Sequence, residues 1–147
     1  MGSLLFPVWM SRFRDLAWLL LRLFLGAFLI WGVWDNIVSA ERMAEFVGFL
    51  RNLKAPAPEI AAPLSVWVQF LIGVLLIPGL LTRWAGVLLA VNFVVAVALI
   101  APTGADFRAL YSPAILIFIG ILFAANGAGN LSLDAAVEGR STRRDTR

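Results

Sequence analysis

Residues 64–101 read LSVWVQFLIGVLLIPGLLTRWAGVLLAVNFVVAVALIA, and their reading decides the fold. Leu64–Leu81 is a long apolar run interrupted by Gln69, Thr82 and Arg83 break it, and Trp84–Ala101 is a second apolar run interrupted by Asn92. Each run has 18 residues. At 1.5 Å per residue each reaches about 27 Å, close to the roughly 30 Å of a bilayer's hydrocarbon core. A connection as short as Thr82-Arg83 allows only antiparallel neighbours, so the stretch is expected to form a transmembrane helical hairpin.

The rest of the chain agrees with that environment. Its 147 residues are 61% hydrophobic and 14% charged, with a mean hydropathy of +0.90, whereas an ordinary globular domain is about 25% charged. A soluble fold of this size leaves too much of its chain exposed to hide such a composition, so lipid must cover the remainder. The length suits one domain. Cys and His are both absent, which removes thiolates, disulfides, imidazole ligands and structural zinc sites. Electron-transfer chemistry would then belong to a bound organic cofactor or to a partner chain. The missing Cys leaves the redox compartment undecided. The net charge of +3 owes much to Arg140, Arg143, Arg144 and Arg147. Beside hydrophobic spans these arginines read as a topological anchor near anionic lipid rather than as a nucleic-acid arm.

Working outward, Trp9, Arg12 and Arg14 precede an apolar run over 16–34 that holds one charge, Arg22. Basic residues before the run and Val38-Ser39-Ala40 after it resemble a signal peptide, but signal cores span only about 7–15 residues. The run is therefore expected to be the first membrane helix. Within 41–54, Met43, Phe46, Val47 and Leu50 recur at i, i+3, i+4 and i+7, the pattern of an amphipathic helix lying in the interface or across the mouth of the bundle. Ala55-Pro56-Ala57-Pro58 ends it. Pro63 is expected to open the second membrane helix (64–81), with a bend or early stop at Pro78-Gly79. After the third helix (84–101), Pro102–Asp106 forms a turn. A fourth and shortest span (109–125) follows, anchored by Tyr111. Asn126-Gly127-Ala128-Gly129 stops it. Ser132 is expected to cap one more short helix through Glu138. Residues 1–135 thus form one transmembrane domain, and 136–147 a basic, disordered tail.

Counting Lys and Arg on alternating sides sets the orientation. Arg12, Arg14, Arg83 and the four tail arginines lie on one side, against Arg42, Arg51, Lys54 and Arg108 on the other. The excess places both termini in the cytoplasm and the protein in the inner (cell) membrane.

The string QFLIGVLLIPGLLTRWAG resembles the signature of the DoxX family, in which a helix with an acidic residue, two glycines and then Thr-Arg leads into the next helix. Leu21–Gly26 with Gly32 resembles that family's first-helix pattern, and GAGNLSLD its closing Gly-Pro-Gly followed by Leu-Ser-Leu-Asp. Two positions depart from the pattern. Gln69 stands at the acidic position of the second helix, and Asp35 where relatives often carry Lys. The resemblance implies a four-helix integral membrane protein. Similar proteins serve as membrane subunits of thiosulfate:quinone oxidoreductase and as partners of thiol-oxidation and superoxide-detoxifying enzymes, and distant relatives act in cargo export and receptor assembly.

Charges inside a bilayer cost about 2.5–3.5 kcal/mol each on insertion scales, which singles out Arg22. It is expected to snorkel to the headgroups or make a structural hydrogen bond, in preference to the alternative of facing inward to bind an anionic or carbonyl-bearing ligand such as a quinone. Gln69, Asn92 and Asn126 place one amide on each other span, where packing glue is the ordinary role. Depth counting groups Arg22, Asn92 and Asn126 in the inner half as a speculative quinone or lipid site and leaves Gln69 in the outer half. Asp35 is expected to pair with Arg108 at the outer ends, and Arg83 with Asp134 at the inner ends, with little effect on stability. Gly26, Gly73, Gly79 and Gly86 allow close helix approach. Of the six tryptophans, only Trp18 and Trp31 lie deep enough for ligand stacking. No residue set suggests a catalytic or metal site. The expected function is a non-catalytic membrane subunit or scaffold for a redox or oxidative-stress partner. The alternatives are a quinone-binding subunit of a thiosulfate:quinone-type oxidoreductase and a small-molecule or lipid carrier. Homo-oligomerisation stays open.

Overall fold

Hydrocarbon offers backbone groups no water, so a chain that crosses it must satisfy its hydrogen bonds within helices. A computed structural model describes residues 13–144. In it α1 (Arg14–Val38), α3 (Pro58–Leu76), α4 (Thr82–Ile100) and α5 (Phe107–Asn126) are long and apolar enough to cross a bilayer. The shorter α2 (Ala40–Asn52) and α6 (Leu133–Arg144) accompany them, and a 3-10 turn, Ala101–Thr103, extends α4. Among the described residues there is no strand. No span has more than 28% of its apolar window buried inside the protein, so its outward faces belong to lipid. The protein is an all-α, multi-pass membrane bundle with the amphipathic helix inserted between the first two spans. Trp9, Arg12 and Arg147 lie outside the described residues.

Local chemistry sets the helix ends, and several differ from the sequence expectation. α1 runs past Trp34 to Val38, and the Ser39 hydroxyl then accepts the Arg42 amide at 3.3 Å to open α2. α3 starts at Pro58 rather than around Pro63, because Pro58 takes the first-turn position, where no amide hydrogen is required, and Pro63 falls inside the helix. α3 stops at Leu76: Pro78 cannot donate, and Gly79 turns the chain with φ +70°. The connection is therefore 77–81, while Thr82 and Arg83 already belong to α4. α5 is not the shortest span, having 20 residues against 19 in both α3 and α4. The Asp106 carboxylate extends it at the start by accepting the Ala109 amide at 3.0 Å. Ser132 caps α6 through the Ala135 amide at 3.2 Å, but the helix continues beyond Glu138 to Arg144.

Two glycine contacts bring the spans together in pairs. A Cβ on Gly26 of α1 would stand 2.8 Å from the Gly73 carbonyl oxygen of α3, and one on Gly73 equally 2.8 Å from that of Gly26. On α4 and α5, a Cβ on Gly86 would meet the Ala124 nitrogen at 2.5 Å and the Gly120 oxygen at 2.6 Å. Gly120 answers with 2.8 Å to the Gly86 oxygen. Backbone meets backbone at both crossings, as small residues permit in membranes. Between the pairs lie Leu25, Leu29, Ile72, Leu76, Ala85, Leu89, Leu116 and Phe123, all buried. A second cluster of Leu50, Ala55 and Ala62, joined by Met43, Phe46 and Val47, seats α2 against the bundle.

Gly86→Ala should lower the midpoint of unfolding in a denaturing-detergent titration by an amount corresponding to about 1–3 kcal/mol of overpacking. Gly32→Ala, whose Cβ enters open space, should hold or raise it through the better helix propensity of alanine. Equal midpoints for the two variants would contradict the crossing described here.

Candidate functional site

The spans pack tightly near the end where α3 turns into α4. Towards the α2 end they part, leaving a cavity of about 510 Å³ between α2, α3, α4 and the start of α5. Phe46, Phe49 and Leu50 of α2 with Leu53 just after it form one wall, Leu64 and Val68 another, and Leu88, Val91, Val95 and Leu99 a third. Three polar side chains interrupt this apolar lining. Ser65 Oγ donates to Asn92 Oδ1 at 3.0 Å, and Gln69 Nε2 donates to Ser65 Oγ at 3.1 Å. These bonds use neither the Gln69 amide oxygen, an acceptor, nor the Asn92 amide NH2, a donor group. Among the described residues no charged one lines the cavity.

The opposite, hairpin end is closed by polar contacts. The Asp134 carboxylate accepts the Leu81 amide at 2.7 Å and the Thr82 amide at 2.9 Å, covering donors at the start of α4 that no helical carbonyl can reach. Arg83 Nη1 donates to the Ala124 and Ala125 carbonyls at 3.2 and 2.7 Å, where a cation suits the C-terminal end of α5. Asp15 accepts from the Asn130 side chain at 2.9 Å, which brings the beginning of α1 and the α5–α6 connection to the same end of the bundle. Arg22 is fully buried and donates through Nη2 to the Leu131 carbonyl. Its Nε and Nη1, like Thr82 Oγ1, find no partner among the described residues. A Cβ on Gly79 would collide with Arg22 Nη1, so the glycine makes room for the guanidinium as well as for its own left-handed turn.

The inner trio expected from depth counting does not form. Asn92 joins Gln69 through Ser65, because α3 ends at Leu76 and not at Leu81. Ser65 is 11 residues from that end and Asn92 is 10 residues from the start of α4, depths of about 15–17 Å at 1.5 Å per residue. Arg22 sits among loops at the hairpin end. Asn126 Nδ2 turns back to the Leu122 carbonyl of its own helix at 2.9 Å. The expected ion pairs are absent among the described residues: Arg83 and Asp134 each cap a different helix, and Arg108 is exposed. Asp35 instead accepts from Asn36 at 2.9 Å. On α2 a 2.9 Å bond from Arg42 to Glu45, aided by the charges of Glu45 and then Asp35, raises the Arg42 pKa above its ordinary value. Trp31 is 83% exposed on the lipid side. Trp18 packs on Phe123, ring centroids 5.4 Å apart, so it belongs to the core. Neither tryptophan lines the cavity. Ser65 and Gly120 were missed in sequence, although Ser65 stands four residues before Gln69 and hence on its face.

Gly79→Ala should destabilise the protein by more than the roughly 1 kcal/mol that a left-handed backbone costs a non-glycine residue, because it also collides with Arg22. Combining it with Arg22→Met should recover part of the loss, read as a coupling in a double-mutant cycle of unfolding midpoints. Additive effects would show that the two positions do not touch.

No curated protein and no solved structure matches the chain. The DoxX family model matches residues 17–102, from the beginning of α1 through the end of α4. That match covers more than half of the sequence and includes both Gly26–Gly73 and the Ser65–Gln69–Asn92 group. The chain belongs to the DoxX family.

Proposed function

We propose that the protein is a membrane subunit that holds a neutral, carbonyl-bearing amphiphile of the quinone type beneath α2 and presents it to a redox partner. Its own side chains do no redox chemistry in this reading. The observation that carries it is the Ser65–Asn92–Gln69 group set into an otherwise apolar cavity. About 510 Å³ falls within the range of roughly 300–1,000 Å³ usual for small-molecule sites. The uncharged lining favours a neutral guest, since an unpaired charge at membrane depth is costly. Apolar burial supplies the affinity. The Asn92 amide is a donor for a ligand carbonyl and the Gln69 oxygen an acceptor for a hydroxyl, so the pair orients the head of the molecule. A hydrophobic tail finds the phenylalanines of α2 and the surrounding lipid. Arg22 and Asn126 are not ligand contacts here, in contrast to the expectation from depth alone.

Mass spectrometry of the lipid extract from protein purified in mild detergent tests the reading. Wild type should retain a quinone-class molecule in near-stoichiometric amount. Gln69→Leu/Asn92→Leu should retain about ten-fold less, since two hydrogen bonds at about 0.5–1.5 kcal/mol each are lost. Absence of any such molecule from wild type, or equal retention by the double variant, sinks the ligand. An oxidoreductase should also be recovered with the tagged protein after crosslinking, and its absence removes the partner.

A further inference from the structure

The helix α6 has two unlike faces. Asp134, Ala135 and Glu138 border a polar recess of about 310 Å³ that Arg83 and Asn126 also line. From Leu133, helical steps of about 100° place Val137, Arg140 and Arg144 within roughly 40° of one line. Leu133 is 49% and Val137 61% exposed, so the first half of that line is free of the bundle. Its second half is basic by register, with Arg143 on the flank.

The position of α6 is fixed at its first turn. The Leu133 amide donates to the Pro78 carbonyl at 3.1 Å and the Asp134 amide to that of Gly79 at 3.0 Å, while the Asp134 carboxylate caps α4. Leu133 therefore stands level with the ends of α3 and α4, where the hydrocarbon gives way to headgroups. Trp84, 68% exposed in the first turn of α4, is the interfacial aromatic expected at that level.

We propose that α6 lies along the membrane surface and that the line Leu133–Val137–Arg140–Arg144 is a docking surface for anionic phospholipid headgroups. An apolar patch followed by arginines on the same face is the composition of a helix that seats in an interface and gathers negative charge. Leu133 and Val137 enter the acyl boundary, and the arginines are complementary to phosphates. The opposite face stays on the protein through Asp134. The surface is independent of the cavity beneath α2, since none of its residues lines that cavity.

Hydrogen exchange of the full-length protein in nanodiscs of phosphatidylcholine, with and without one-third phosphatidylglycerol, tests the proposal. Amides within 133–144 should exchange roughly ten-fold more slowly in the anionic discs, since each basic residue near such a surface contributes about a five-fold preference. Arg140→Gln/Arg144→Gln should abolish the lipid dependence, and Val137→Glu should weaken it. Each variant should leave exchange in α3 and α4 unchanged, which reports that the bundle is intact. Equal exchange in the two lipids overturns the proposal, as does a lipid dependence that survives the double arginine variant. Protection equally strong in detergent micelles also overturns it, because packing against protein would then account for it.

Discussion

One carboxylate holds the hairpin end of this bundle together. Asp134 reaches back 52 residues to the Thr82 amide and 53 to that of Leu81. The first amides of a helix have no intrahelical acceptor, and the carboxylate supplies one to each of these two. Arg83 performs the converse service for the last carbonyls of α5. Each charged side chain therefore satisfies a helix end and complements its dipole, which explains why the two do not pair with each other. An exposed ion pair between them would contribute about 0–1 kcal/mol and leave both helix ends open.

Closure at that end has consequences for the buried arginine. Arg22 occupies the space between the 77–81 and 127–132 connections, with Gly79 beside its Nη1 and Leu131 accepting from its Nη2. Burying a guanidinium with one protein acceptor is unfavourable by itself. The connections on either side are fixed independently, by the Asp134 cap and by the bond between Asp15 and Asn130. The arginine thus joins three parts of the chain without being what assembles them. Of the readings open to it in the sequence, its bond to the Leu131 carbonyl corresponds to the structural hydrogen bond rather than to snorkelling.

What was legible in the sequence depended on whether the information was local. Four apolar runs, the amphipathic spacing around Met43–Leu50 and the glycine stop after Asn126 each write their structure into a few neighbouring residues, and all reappear in the bundle. The cavity was not local. It depended on where α3 ends: the stop expected at Pro78-Gly79 does occur, but a depth count that runs the span on to Leu81, five residues past Leu76, shifts Gln69 by about 7 Å and separates it from Asn92. Pro63, directly before the apolar run, suits a helix start, whereas the 57–58 turn places the first helical residue at Pro58. The partners of Arg22 and Asp134 come from connections far away in sequence, and nothing in their own surroundings names them.

The two glycine crossings explain why the cavity lies where it does. Gly26–Gly73 and Gly86–Gly120 bring each pair of spans to backbone contact, and the large buried side chains Leu25, Leu76, Leu89 and Phe123 fill the space between pairs. Capping contacts then tie the pairs at the hairpin end. At the other end α2 lies beside α3 and α4, with space left between them. The helix covers the gap with phenylalanines and leucines without filling it. Ser65, Gln69 and Asn92 therefore remain beside open space, where a tighter bundle would have buried them against one another and left no group for a ligand to meet.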